Sequence, residues 1–234
     1  MVPRSGPGPA EARTAALAEL TAEIIGCEAC PRLVVYRREV ALTKRAAFAD
    51  QDYWGRPVPG FGDPLARVVL VGLAPAAHGG NRTGRVFTGD RSGDWLFSAL
   101  WRGGLANQPT SVALGDGLRL HGAYVLAAVR CVPPANRPTP EERRRCAPFM
   151  AREIELLTET RVLVALGAFA YQAVASEFGL RPRPPFGHGV EARLPDGRHV
   201  LCSYHPSQQN TFTGTLTEPM LDAVVTRAKQ LAGL

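Results

Sequence analysis

The chain has 234 residues, 45% of them hydrophobic, and its 27 basic and 21 acidic residues give it a formal net charge of +6. This length can bury one sizeable core. There is no run of about 18 apolar residues, which excludes a predicted transmembrane helix. The basic charge favours a polyanionic partner.

Residues 1–10 contain Pro and Gly but no apolar signal core, so they predict a short disordered lead and no secretion signal. We expect residues 11–234 to form a single domain. The default location of such a chain is intracellular, so we expect a cytoplasmic, nucleoid-associated monomer with no membrane contact.

Apolar spacing predicts a helix over residues 10–26, followed by a basic segment and a loop rich in Pro, Gly and aromatic residues. The apolar, largely β-branched run Val68–Val71, bounded by Gly72, predicts a strand buried on both faces. The rest of the chain alternates between strand patterns and helix patterns. The predicted strands are residues 123–130, 161–166, 189–194 and 199–204, and the predicted helices are residues 94–103, 139–157, 167–178 and 217–232. This alternation predicts an α/β fold with a mostly parallel central sheet and helices on both faces.

Three loops follow the predicted parallel strands, and they contain most of the polar residues suited to chemistry. They are residues 72–94, 131–140 and 205–214. The carboxyl ends of parallel strands lie at one edge of a sheet, so we expect these loops to converge. In the first loop, glycines permit close approach of a ligand, arginines suit phosphate, and Phe87 offers a stacking face. We therefore place the functional site at this edge.

The chain has five cysteines. Cys27, Cys30, Cys131 and Cys146 would supply four thiolates from two separate segments, which suits a four-iron cluster or zinc. Their spacing departs from the two close pairs of a zinc ribbon. We therefore favour a structural [4Fe–4S] cluster, with zinc and four buried thiols as the alternatives. Cys202 lies in an apolar run and is interpreted as a core thiol.

Three stretches resemble a known family: GLAPAAHGGNRTGRVFTGD (Gly72–Asp90), VRCVPPANRPTPEE (Val129–Glu142) and HPSQQNTFTG (His205–Gly214). With the cysteines, they resemble the iron–sulfur uracil-DNA glycosylases, and specifically the type-b group called family 5. The sister group has an acidic residue at the position of Leu73. Ala74 replaces the aspartate that the best-known uracil glycosylases have in this motif.

The resemblance implies a uracil-DNA glycosylase-like fold pinned by a [4Fe–4S] cluster. It implies DNA containing uracil or other deaminated bases as the partner. The activity implied is hydrolysis of the N-glycosidic bond to leave an abasic site, as in base excision repair. Because the acid of the first motif is missing, a catalytically weak iron–sulfur DNA-binding accessory protein is the alternative.

Base excision requires a flipped base to be held and an oxocarbenium-like sugar to be stabilised. We predict catalytic roles for Asp90, His205 and Asn136. Asp90 would position water or stabilise the sugar, His205 would donate a hydrogen bond to the base carbonyl, and Asn136 would read the base edge. Asp90 is alternatively an N-cap with Asp94 as its catalytic rival, and Asn136 is alternatively a turn former.

Contacts to the base are predicted for Ala74, Ala76, His78 and Phe87. Phe87 would stack on a flipped pyrimidine, or it is an ordinary core residue. The predicted phosphate contacts are Arg82, Arg85, Arg91 and Arg137, some of which are alternatively solvated surface residues. The predicted minor-groove loop is Ser207, Gln208, Gln209 and Asn210. The lysines, Lys44 and Lys229, lie outside the three loops, so a Schiff-base lyase is not expected and the glycosylase would be monofunctional.

Overall fold

The computed structural model describes residues 9–234. Residues 1–8 of the predicted lead lie outside the described residues. The first helix, Pro9–Ile25, begins within the span assigned to the lead. No helix in the described part of the chain is long and apolar enough to cross a membrane.

The described residues alternate between strands and helices, largely as the sequence predicts. The strands are β1 (Phe61–Gly62), β2 (Val68–Gly72), β3 (Ala123–Ala127), β4 (Val162–Leu166), β5 (Glu191–Arg193) and β6 (His199–Ser203). The helices are α1 (Pro9–Ile25), α2 (Pro31–Thr43), α3 (Gly80–Thr83), α4 (Arg91–Arg102), α5 (Pro140–Leu156), α6 (Ala168–Glu177), α7 (Gln208–Phe212) and α8 (Glu218–Ala232).

All the strands belong to one sheet with the order β1-β3-β2-β4-β6-β5. The central strands β3, β2, β4 and β6 run parallel, with Val69 opposite Tyr124 on one side and Leu163 on the other. Both edge strands, β1 and β5, are antiparallel to their neighbours. The prediction of a mostly parallel α/β sheet is confirmed, and the carboxyl ends of β2, β3, β4 and β6 lie at the same edge.

Each face of the sheet packs against its own helical layer. Val68 and Leu70 of β2 contribute to a core shared with α4 and α8. Val69 and Val71 point to the opposite face and join a core shared with α1, α5 and α6. Successive side chains of a strand alternate between faces, so a strand buried on both sides must be apolar throughout. The prediction of helices on both faces is confirmed.

Helix α2 was not predicted, because its sequence is basic. It begins with Pro31 at its first turn, where the missing N–H has no cost,. Its buried face carries Leu33, Val34, Arg37 and Val40. One of the charged residues that made the segment look solvated is therefore part of the interior.

Candidate active site

Two rings meet where β2 and β6 end. The ring centroids of Phe87 and His205 lie 5.6 Å apart with an angle of 31° between their planes. Phe87 is buried over Gly72, the last residue of β2, where a Cβ would lie 2.7 Å from the Phe87 ring. Its φ of 51° is unusual for an aromatic residue and indicates a backbone constrained by its surroundings,. The predicted convergence of the first and third loops is therefore present in the structure.

His205 follows β6 and packs over Gly167, at the end of the neighbouring strand β4. Its backbone carbonyl accepts a hydrogen bond of 2.9 Å from Asn210 Nδ2. Burial lowers the pKa of His205 to about 4. The imidazole is therefore neutral near pH 7, which suits a hydrogen-bond donor and does not suit a general acid.

The low pKa of His205 predicts how the free energy of unfolding changes with pH. The unfolded chain takes up the proton near pH 6.5 and the folded chain only near pH 4, so this residue lowers stability as the pH falls through that interval,. We expect His205→Asn to lose less of its free energy of unfolding between pH 6.5 and pH 4 than the wild type does. Urea titrations at several pH values measure this, and parallel curves would contradict a buried neutral imidazole.

Asp90 is the N-cap of α4, and one of its carboxylate oxygens accepts a hydrogen bond of 3.0 Å from Gly93 N. The other oxygen packs against Gly79, where a Cβ would lie 2.0 Å from it, so only glycine fits there. Burial raises the pKa of Asp90. Its rival Asp94 is exposed in the first turn of the same helix, and partial burial raises its pKa too. The capping role is present, with the Ser92 backbone also bonding to the carboxylate, and the oxygen that faces Gly79 is not the one that accepts from Gly93.

The first loop is anchored by a residue that the sequence analysis did not single out. Tyr53 Oη lies 3.0 Å from His78 Nδ1, so the two side chains share a hydrogen bond. Ala76 accepts a hydrogen bond from Asn81 N through its carbonyl, and Ala74 packs toward the cysteine-containing segment. Tyr53 lies in the aromatic-rich loop before β1, and only that aromatic content pointed to it. The predicted contacts of Ala74, Ala76 and His78 with a base remain proposals.

Asn136 lies in the loop that follows β3, and its side chain is exposed. It has a positive φ of 54°, as does the preceding Ala135 at 52°. Asparagine tolerates this conformation better than most residues do, so the turn-forming interpretation fits. Its side-chain amide has no hydrogen bond within residues 9–234 and is available to a ligand.

The structure does not support Arg82 and Arg85 as phosphate contacts, because only 9% and 6% of their surfaces are exposed. Arg82 donates hydrogen bonds to the carbonyls of His78 and Gly89. Arg85 pairs with Asp116 at 2.6 Å and also donates to Ser111. Both guanidiniums hold the first loop together from inside. Of the predicted phosphate contacts, the exposed ones are Arg91 and Arg137.

The internal role of Arg85 gives a second prediction. Burial alone would raise the pKa of Asp116, but Arg85 and three backbone amides outweigh it and hold that pKa at about 2. We expect Arg85→Met to destabilise the fold by about 3 kcal/mol, which is the cost of leaving Asp116 without its partner in a buried ion pair. The salt dependence of DNA binding should not change.

In Arg137→Met the opposite pattern is expected, with normal stability and a slope of log K against log salt shallower by about one. A shallower salt slope in Arg85→Met together with a loss of stability in Arg137→Met would contradict this interpretation.

The predicted minor-groove loop divides into two kinds of residue. Ser207 caps α7, with its hydroxyl 3.4 Å from Asn210 N, and the Asn210 amide is bound to His205. Gln208 and Gln209 are exposed on the first turn of the helix. The structure therefore leaves the two glutamines free to face a ligand and uses Ser207 and Asn210 to shape the loop.

The four predicted metal-binding cysteines line a single cavity. They are Cys27, Cys30, Cys131 and Cys146. Arg37 Nη1 donates a hydrogen bond of 3.1 Å to Cys131 Sγ, and the backbone N of Arg130 lies 3.2 Å from Cys146 Sγ. Both guanidiniums are buried, and that of Arg130 is already paired with the equally buried Glu153 at 2.6 Å. Arg37 is therefore the buried cation that contacts the thiols directly.

Within residues 9–234, no group of three or more His, Cys, Asp or Glu side chains is placed to bind a single metal ion. Four thiols are a donor set that a four-iron cluster and a zinc ion both accept.

Comparison with known proteins agrees with the fold. Residues 59–229 match the model of the uracil DNA glycosylase superfamily, which establishes the class of protein. The type-5 uracil-DNA glycosylase of Mycobacterium tuberculosis is 55% identical over 93% of this chain and 82% of its own length. That of Thermus thermophilus is 56% identical over 90% of this chain and 96% of its own. The type-4 enzyme of Thermotoga maritima is 32% identical over 64% of this chain. The chain belongs to the type-5 uracil-DNA glycosylase family, which confirms the resemblance seen in the sequence.

Proposed function

We propose that the protein is a monofunctional glycosylase that removes uracil, and other deaminated bases, from DNA and leaves an abasic site for base excision repair. The observation that carries the proposal is the contact between Phe87 and His205 at the carboxyl edge of the sheet, beside the Asp90 loop. A flipped base needs a stacking face and a polar group at its edge, and this pair offers both.

The proposed mechanism assigns one task to each group. Phe87 stacks on the everted base. The neutral imidazole of His205 donates a hydrogen bond to the base oxygen on which negative charge develops as the bond to the sugar breaks. The ionised carboxylate of Asp90 stabilises the positive sugar or orients the attacking water. The Asn136 amide hydrogen-bonds the base edge.

The positions of the lysines support hydrolysis without a covalent intermediate. Lys44 Nζ donates to the carbonyl of Ala49, and Lys229 Nζ donates to the carbonyl of Gly103. Gly103 directly follows α4, so Lys229 is engaged at the opposite end of that helix from Asp90. A Schiff base requires a free amine that reaches the sugar carbon, and this geometry supports water as the nucleophile.

We also propose that Cys27, Cys30, Cys131 and Cys146 hold a structural [4Fe–4S] cluster. The shared cavity and the hydrogen bond from the buried Arg37 to Cys131 Sγ support it. The cluster would join the start of α2 to the loop after β3 and to α5, and so fix segments that border the site. Its role is to stabilise structure, and excision is carried by the side chains described above.

A single-turnover assay tests the proposed activity. A labelled oligonucleotide with one uracil is incubated with the purified protein and then treated with alkali, which cleaves the strand at abasic sites. We expect cleavage that depends on the uracil and on the alkali step, and a parallel substrate with hypoxanthine tests the broader specificity. Cleavage before alkali would contradict a monofunctional enzyme. Binding to the uracil substrate without any cleavage would support the accessory protein that the missing acid at Ala74 suggests.

A further inference from the structure

A histidine outside the three loops contacts the segment that carries His205. His188 lies between α6 and β5, and its ring Nδ1 is 3.2 Å from the backbone N of Tyr204. A backbone N–H can only donate, so Nδ1 accepts this hydrogen bond. Tyr204 directly precedes His205, and the ring centroids of His188 and Tyr204 lie 5.2 Å apart. His188 therefore holds the neighbour of His205 through a hydrogen bond and through a ring contact.

This hydrogen bond takes the place of a bond between strands. The ladder between β5 and β6 continues beyond the start of β5, where Cys202 N donates to the Val190 carbonyl and Gly189 N donates to the Cys202 carbonyl. Alternate residues of a strand face the same neighbouring strand, so the next N–H on this edge belongs to Tyr204. It donates to a side chain instead of to backbone. The His188 ring therefore extends the ladder by one bond, past the end of β6.

Other side chains also bind the backbone around His205. The Tyr204 carbonyl accepts a hydrogen bond of 2.9 Å from Ser203 Oγ, and the His205 carbonyl accepts one of 2.9 Å from Asn210 Nδ2. The residue after His205 is a proline, which has no N–H to donate,. Of the three side chains that bind this backbone, that of His188 is the one that reaches it from a different part of the chain.

A second contact assigns the tautomer of His188. The ring also hydrogen-bonds to the backbone of Met220 in the first turn of α8, and this bond raises the pKa of His188, as a donated bond does,. Burial outweighs it and lowers the pKa below the ordinary value, so the ring is neutral near pH 7,. The proton lies on Nε2, which donates toward α8, and Nδ1 keeps the lone pair that accepts from Tyr204.

We propose that His188 is a positioning residue for base excision, which acts through His205 by holding the Tyr204 backbone. The proposal rests on the proposed function of His205. A hydrogen-bond donor stabilises the departing base only where the negative charge develops, and a displacement of about 1 Å can cost about 10²-fold in rate. Loss of the bond from Tyr204 would free the backbone that carries the imidazole and leave a half-buried N–H without its acceptor.

Two substitutions separate the two ring nitrogens. An asparagine oxygen reaches the position of Nδ1, and a glutamine nitrogen reaches that of Nε2. His188→Asn therefore keeps the acceptor for Tyr204 and loses the contact with Met220, whereas His188→Gln does the reverse. We expect single-turnover excision of uracil within a few-fold of wild type for His188→Asn, and slower by about 10- to 100-fold for His188→Gln. Each variant loses one hydrogen bond, so their urea midpoints should be alike, and a merely structural histidine would affect both rates equally.

A second readout does not depend on excision. The chain has five histidines, and NMR titration of their ring signals reports each pKa, with His205 assigned from the signal that His205→Asn lacks. We expect the pKa of His205 to be about 4 in the wild type and in His188→Asn. In His188→Gln it should move toward the ordinary value of about 6.5, because a displaced imidazole gains solvent. Equal rates and equal titrations of His205 in the two variants would overturn the proposal. Absence of excision by the wild type would instead overturn the proposed function, and the titration would still test the positioning.

Discussion

Asp90→Asn is expected to slow single-turnover excision of uracil by about 10²-fold or more, within the range for loss of a positioned acid–base group. The asparagine side chain keeps an oxygen that can accept the hydrogen bond from Gly93 N, so the N-cap of α4 is retained,. The substitution removes the negative charge and replaces the oxygen that faces Gly79 by an NH₂ group. The variant therefore separates the catalytic role of Asp90 from its structural role, which replacement by alanine does not.

The pH dependence of the rate and a matched control variant test this prediction. Burial raises the pKa of Asp90, so the active carboxylate is lost at a higher pH than for an ordinary aspartate. The wild-type rate should fall as the pH falls through this raised value, and the variant should lack that acid limb. Asp94→Asn is the matched control, with a rate within a few-fold of wild type and the acid limb intact. If Asp94→Asn shows the large loss and Asp90→Asn does not, the catalytic carboxylate is Asp94.

The framework of the fold is predictable from local patterns in the sequence. Strand β2 covers the predicted run Val68–Val71 and extends by one residue to Gly72, because a strand buried on both faces must be apolar throughout,. Parallel topology then places the loops after β2 and β6 at the same edge of the sheet, where Phe87 and His205 meet. This inference needs no knowledge of side-chain geometry.

The roles of the arginines are not predictable in this way. Arg85 becomes internal through Ser111 and Asp116, which are 26 and 31 residues away in the chain. Arg37 is buried because a cysteine from beyond β3 lies against it. A charged residue in a Gly-rich or basic segment looks solvated until these distant partners are known.

Cys146→Ala is expected to remove the proposed cluster and to destabilise the fold by several kcal/mol, since the free energy of binding a structural metal group is part of the free energy of folding. The thiol lies in the cavity shared with the other three cysteines. The variant should lack iron, acid-labile sulfide and visible absorption. Cys202→Ala is the control, because Cys202 is only 1% exposed but belongs to the core under the sheet. It should keep its iron and lose about 1 kcal/mol.

The loss in Cys146→Ala should extend to the active site through a continuous set of contacts. Arg37 donates to Cys131 Sγ, and the Arg37 carbonyl accepts a hydrogen bond of 3.2 Å from Asn81 in the first loop. Hydrogen exchange should therefore speed up in residues 76–90 of Cys146→Ala and stay unchanged there in Cys202→Ala. One zinc per wild-type chain without visible absorption would establish the zinc alternative. A metal-free wild type, with equal stability losses in the two variants, would reduce the site to four buried thiols.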